Sequence, residues 1–244
     1  MKKTVRLVLE TIATVFVIFV FYFVQGAIVV TQGLDGVNAK WIQSVFIWAS
    51  VIVALAFFLI KDKSLKNLGF RKVDGKGFRA VLFCLPVLLV ALSGLVYGIE
   101  LTGNGIVLAN LVLTIGIGFS EEIYFRGIIL HNWLNNRGKT PAIIISAVLF
   151  GVTHLMNILG GAGLTATIMQ IFFALFYGII MAIILIRTNS IWPCIILHFM
   201  HDFCSWTGMS GTPKEDTILA AAQTVVLLIY MVYLIVKEKK TVKN

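Results

Sequence analysis

The chain has 244 residues, of which 59% are hydrophobic and 13% charged, with a formal charge of +9 and a mean hydropathy of +0.96. A soluble domain carries near a quarter charged residues, so an ordinary cytosolic enzyme, a disordered tail and a disulfide scaffold are excluded. The length suits an all-α membrane protein, a bundle of about eight membrane helices of ~20 residues with short loops.

The chain starts MKKTVRLVLE and runs straight into apolar sequence. That run is too long for the core of a secretory signal, and no A-x-A site follows, so it reads as a retained first helix. Apolar runs predict eight helices, near 7–30, 42–60, 80–98, 106–125, 141–156, 167–186, 191–206 and 217–236. The fourth is expected to continue as helix to about Arg137. The fifth and seventh carry Pro141 and Pro193 near their starts, where a helix tolerates proline. The organisation is expected to be three N-terminal helices with a basic loop at 61–79 (residues 1–105), a polar-bearing core (106–206), and a last helix with a basic tail (207–244).

With eight spans, 18 Lys and Arg fall at one set of helix ends, while the opposite ends hold only Lys40 and Lys214. Cytoplasmic loops are enriched in these residues. Both termini are therefore expected in the cytoplasm, in a multi-pass protein of the cell membrane. The net charge then reflects topology and the 61–79 loop rests against anionic headgroups; no nucleic-acid partner is implied. Cys84, Cys194 and Cys204 lie in or beside apolar runs without a C-x-x-C pair, and read as packing residues.

Ionisable side chains at membrane depth are costly and by default mark function. Glu10 lies in the first helix; the others concentrate on three helices. The fourth carries Glu121, Glu122 and Arg126. Glu122 and Arg126 are i and i+4 with the acid first, the favourable order for a helix ion pair. Glu121 is rotated by ~100° from Glu122 and is less well placed to share that cation. It is the acid available as a general base. The fifth helix carries Phe150 and His154, four apart on one face. The seventh carries His198 and Asp202, also i and i+4, so that Asp202 is placed to accept from a His198 N–H and fix its tautomer. His201 either joins the same cavity or sits at an outer helix end facing water, and the second reading is preferred. His131 reads as interfacial, beside Trp133.

This set can activate water in two ways. Glu121 takes a proton from water oriented by His154, while His198 and Asp202 stabilise an oxyanion. Alternatively His154 and His198, with Glu121 or Asp202, bind zinc, which acidifies a bound water. Without an H-E-x-x-H motif the metal reading is the weaker, and no cofactor is expected. No G-x-S-x-G, Walker A or dinucleotide fingerprint occurs. A proton-coupled transporter is a lesser reading, since no inverted repeat is visible.

In chain order these residues spell E-E-x-x-x-R (Glu121, Glu122, Arg126), F-x-x-x-H (Phe150, His154) and H-x-x-x-D (His198, Asp202). The ordered triple resembles the CPBP family of intramembrane proteases, the CAAX prenyl endopeptidases and bacteriocin-processing enzymes also called the Abi family. The resemblance covers about Ile106 to Trp206. It implies an intramembrane endopeptidase with Glu121 as catalytic glutamate and His154 as its partner. His198 and Asp202 match the oxyanion pair, and Glu122, Arg126 and Phe150 match supporting positions. It implies a metal-free glutamate mechanism, with zinc on His154, His198 and Glu121 as the older view. The implied substrate is a membrane-associated peptide or protein, lipidated or a pheromone or bacteriocin precursor; a non-enzymatic immunity or partner-binding role is the alternative.

With straight spans, Glu121 and His154 fall at different depths. A shared site then needs tilted helices, a fifth helix that begins in the cytoplasm, or a thinned bilayer. A water-filled cavity open to one side is expected.

Overall fold

The computed structural model describes residues 2–62, 64–73, 82–100, 103 and 105–241. Its regular elements are helices: α1 (Lys2–Thr31), α2 (Gly36–Asp62), α3 (Leu85–Leu92, flanked by the turns Leu82–Cys84 and Ser93–Leu95), α4 (Ile106–Arg137), α5 (Lys139–Thr153), α6 (Met156–Leu159), α7 (Leu164–Thr188), α8 (Trp192–Thr207) and α9 (Pro213–Thr241). A single bridge, Ile99 with Gly208, is the one strand-like pairing among the described residues.

Each predicted apolar run is helical over most of its described residues; the third ends at Leu95, and the fifth breaks into a turn at His154 and Leu155. The expected start of the third, at 80–81, lies outside the described residues, as do Lys63, Lys76, Arg79 and Lys243. The count of eight spans is not reached among the described residues. There, six helices are long and apolar enough to cross a membrane, in α1, α2, α4, α5 with α6, α7 and α9. The stretch from Leu82 to Leu95, and α8, reach only ~21 Å and ~24 Å against a hydrocarbon layer of ~30 Å. Apolar sequence marks burial in lipid and burial in protein alike, so hydropathy alone could not separate them. Helix α8 is of the second kind: it packs against α4, α7 and α3, with Cys194, Ile195, Leu197 and His198 buried.

The bundle is apolar outside and polar within. Phe16, Ile60, Leu89 and Ile229 each expose more than half of their surface, which suits a lipid solvent. Ser120, Glu122, Arg126 and His198 are buried.

Helix α4 runs on to Arg137, as predicted, and turns at Gly138 (φ 83°, ψ −177°) into α5. This hairpin removes the depth problem. Glu121 lies 17 residues before Gly138 and His154 lies 16 after it, or ~25 Å and ~24 Å along their helices. Phe125 and Phe150, at 13 and 12 residues from the turn, meet with centroids 5.2 Å apart. The eight residues Ile123–Leu130 of α4 form a π-helix. Such wider turns concentrate at functional sites, and this one carries Arg126.

Glycine permits close backbone approach where the polar-bearing helices meet their neighbours. A Cβ on Gly118 of α4 would stand 3.1 Å from the Ile195 carbonyl of α8, and one on Gly151 of α5 would stand 3.2 Å from the Ile171 carbonyl of α7. These contacts draw the polar-bearing helices together. A buried hydrogen bond between Ser50 and Ser120 (2.7 Å) ties α2 to α4, and Trp48 donates to the Val112 carbonyl at 3.1 Å.

The bundle has two chemically different ends. At one, Arg137 bonds Thr4, Arg71 donates to the side chain of Asn189 (2.9 Å), and Arg187 and Lys237 cover Phe83 at 4.3 and 4.6 Å. Arg126, one of the 18 expected at helix ends, lies instead inside the bundle with no exposed surface. At the other end Lys40 lies over Trp206, 3.7 Å from its ring centre, and Asn110 donates to the Trp206 carbonyl at 3.0 Å.

Candidate active site

Five helices deliver polar side chains to one place in the bundle. Glu121 comes from α4, His154 from the end of α5, and His198, His201 and Asp202 from α8. Tyr22, Gln25 and Gln43 come from α1 and α2. All line a cavity of about 380 Å³. A second cavity of about 700 Å³ shares His154, Gln170, His198, His201, Asp202 and Ser205 with the first, and is walled by α7, α8 and α9. The polar cluster forms the partition between two chambers.

At the base of the cluster, Arg126 Nη1 lies 3.3 Å from Glu122 Oε1, and both side chains are fully buried. The predicted i, i+4 pair is present. The same Glu122 oxygen accepts from His198 Nδ1–H at 2.9 Å. A carboxylate oxygen only accepts here, so this bond places a proton on Nδ1 and fixes the ring. The expectation that Asp202 would orient His198 is therefore revised. Asp202 Oδ2 stands 3.7 Å from Nε2, and its Oδ1 faces His201 Nδ1 at 3.3 Å. Spacing along α8 made Asp202 the visible partner; Glu122 wins because α4 and α8 pack closely at Gly118.

Nε2 of His198 points toward Glu121, 3.5 Å from its Oε2. The other oxygen of Glu121 accepts from the Tyr22 hydroxyl at 2.9 Å. Glu121 is thus fixed through Oε1 and presents Oε2 to the cavity and to His198.

His154 caps α5. It donates Nδ1–H to the Phe150 carbonyl at 2.9 Å, satisfying one of the carbonyls that a helix end leaves open. A carbonyl cannot donate, so in the neutral ring the lone pair resides on Nε2.

Phe150 explains the spacing of its motif. Its ring stands edge-on to His154 at 5.1 Å and to His198 at 5.8 Å. Arg126 lies over its face at 4.2 Å. One aromatic ring thereby sets the position of three polar groups, with the cation on the electron-rich face.

His201 is a correction. It lies in the cavity wall, with its ring against Phe173 (4.8 Å) and Tyr177 (5.9 Å) of α7, and not at an outer helix end. It is i+3 from His198, close to the same face of a helix whose end is covered by α7. His131 is near the basic end, 2.9 Å from the Asn135 amide. Glu10 pairs with Arg6 at 3.0 Å, remote from the cavity. Cys84, Cys194 and Cys204 are free thiols, all buried. Among the described residues no group of three His, Cys, Asp or Glu side chains is arranged to hold a metal ion.

Tyr22, Gln25 and Gln43 were not anticipated. The two amides carry a readable signal, uncharged polar groups in otherwise apolar helices. Tyr22 carries none, because a tyrosine among Phe21, Tyr22 and Phe23 reads as packing.

Residues 103–204 match a family model described as Rce1-like, type II CAAX prenyl endopeptidase. The match agrees with the motif resemblance over the same segment. That segment holds all three motifs, the whole α4–α5 hairpin, and most of α8. The CAAX proteases are membrane proteases, in keeping with the six apolar helices. No curated protein matches the chain. Helices α1, α2 and α9, including Tyr22, lie outside the matched segment.

Proposed function

We propose that this protein is an intramembrane endopeptidase that cleaves a peptide bond with a glutamate-activated water. The observation that carries the reading is the convergence of Glu121, His154 and His198 on one cavity, with Glu121 Oε2 3.5 Å from His198 Nε2. Water held by His154 Nε2 gives a proton to Glu121 as its oxygen attacks the carbonyl carbon. The C=O bond opens to an oxyanion, which accepts from His198 Nε2–H. His198 keeps its second proton on Nδ1 against Glu122, and Asp202 stabilises the charged ring. Glu121 then passes its proton to the leaving nitrogen as the C–N bond breaks. Base catalysis of this kind contributes roughly 10²–10⁴-fold, and a preorganised donor to the oxyanion is worth a comparable factor.

The substrate class is a membrane-associated peptide or protein, lipidated or a pheromone or bacteriocin precursor. The chain works as a multi-pass protein of the cell membrane, with both termini cytoplasmic as the Lys and Arg distribution indicates. No cofactor is assigned.

The test is comparative peptidomics of cells carrying wild type and Glu121→Gln. The isosteric amide keeps an acceptor for Tyr22 but cannot take the proton. One precursor is expected to accumulate while protein level and melting behaviour stay unchanged. An unchanged peptidome, with any immunity phenotype intact, would move the assignment to a non-enzymatic partner-binding role. Flux coupled to a proton gradient and lost in Glu121→Gln would move it to transport.

A further inference from the structure

Both chambers occupy the same half of the bundle. The first is walled by Tyr22 and Gln25 in the second half of α1, by Gln43 at the start of α2, and by Asn157, Ser205 and Trp206. The second reaches Gly163, Thr165 and Asp216 at the starts of α7 and α9. Gly163, Thr165, Gln170 and Ser205 are exposed and Asp216 is half-buried, so the mouths open where these residues stand. Toward the other end the cluster is sealed by Glu122, Phe125, Arg126 and Tyr177, each at most 2% exposed. Of the twelve Lys and Arg whose side chains are described, all but Lys40, Lys214 and the buried Arg126 stand at that sealed end, the signature of a cytoplasmic face.

From this opposition we infer that the site is served from the outer side of the membrane. Its substrate is a peptide segment that already lies on the external face, in the outer half of the bilayer or tethered beside it. A cytoplasmic chain end would meet only the sealed, basic floor. The inference builds on the proteolytic reading for the word substrate, and on the charge distribution for the direction.

Accessibility tests the direction without any need for activity. Ser205→Cys and Thr165→Cys place a thiol at the rim of the chambers, and Asn136→Cys places one at the basic end. The native thiols are buried, so wild type is the blank. A membrane-impermeant maleimide is added to intact cells and to permeabilised cells, with labelling in SDS as the measure of total thiol. Rim thiols are expected to react in intact cells at least tenfold faster than wild type, and Asn136→Cys only after permeabilisation. Rim thiols that react only after permeabilisation or under neither condition, or Asn136→Cys that reacts in intact cells, would overturn the inference. Precursors that accumulate with Glu121→Gln supply the second arm. Their uncut bonds are expected in exported segments, and bonds confined to cytoplasmic segments would overturn it. Absence of any precursor would count against the proteolytic reading while leaving the labelling result standing.

Discussion

Replacing Arg126 by Met probes the floor of the site. The guanidinium has no exposed surface; it pairs with Glu122 at 3.3 Å and lies 4.2 Å over the Phe150 ring. Removing one partner of a buried pair costs about 3–5 kcal/mol, because the other charge stays behind without compensation. The lost cation–π contact adds about 1 kcal/mol. Arg126→Met is therefore expected to destabilise by about 4 kcal/mol, and Glu122→Gln by a similar amount. The double variant removes both charges and leaves a neutral amide to accept from His198. It is expected to lose only about 2 kcal/mol, a coupling far outside the scatter of independent sites. Equilibrium denaturation in mixed micelles measures this, with reaction of the buried thiols of Cys84, Cys194 and Cys204 as the probe of opening. The reasoning fails if Arg126→Met costs under about 1 kcal/mol, or if the double variant loses the sum of the single losses.

Tyr22→Phe deletes the donor to Glu121 without changing shape. A hydrogen bond to a charged group is worth about 1.5–3 kcal/mol, so turnover should fall by roughly tenfold or more at unchanged expression; an unchanged rate would remove Tyr22 from the site. Gly118→Ala puts a methyl group 3.1 Å from the Ile195 carbonyl and is expected to cost about 1–3 kcal/mol and to weaken the Glu122–His198 contact, seen as lower stability and lower activity together. Phe150→Leu keeps an apolar side chain but loses the ring beneath Arg126 and beside both histidines; activity should fall more steeply than stability, and equal losses would reduce Phe150 to packing. For the metal-free mechanism, turnover should survive a strong chelator, with under about one tenth of an equivalent of zinc in active protein; activity lost on chelation and restored by zinc would refute it.

The parts of the site that follow one helix's period were legible in the sequence. Glu122 and Arg126 pair at i, i+4, and Phe150 and His154 share a face. The partners that cross between helices were not. Spacing along α8 pointed His198 at Asp202, whereas the shortest bond goes to Glu122, 76 residues away. Tyr22 is 99 residues from Glu121 and outside the motif-bearing segment. The helical fold was legible because lipid and core both demand apolar runs. That shared demand also hid the shorter helices, α8 and the stretch from Leu82 to Leu95. The π-helix in α4 was invisible, because Ile123–Leu130 has an unremarkable composition for an α-helix.

That π segment has a consequence for how the chain tolerates change in length. Its five-residue hydrogen-bond loop accommodates more residues per turn than an α-helix does. Deleting one residue between Ile123 and Leu130 offers the segment a route back to α geometry, with the helix beyond the cut left near its present rotation. An inserted residue has no such outlet: everything beyond it would swing by ~100°, and the α4–α5 turn would carry His154 away from Glu121. Insertions here should be far more damaging than single deletions.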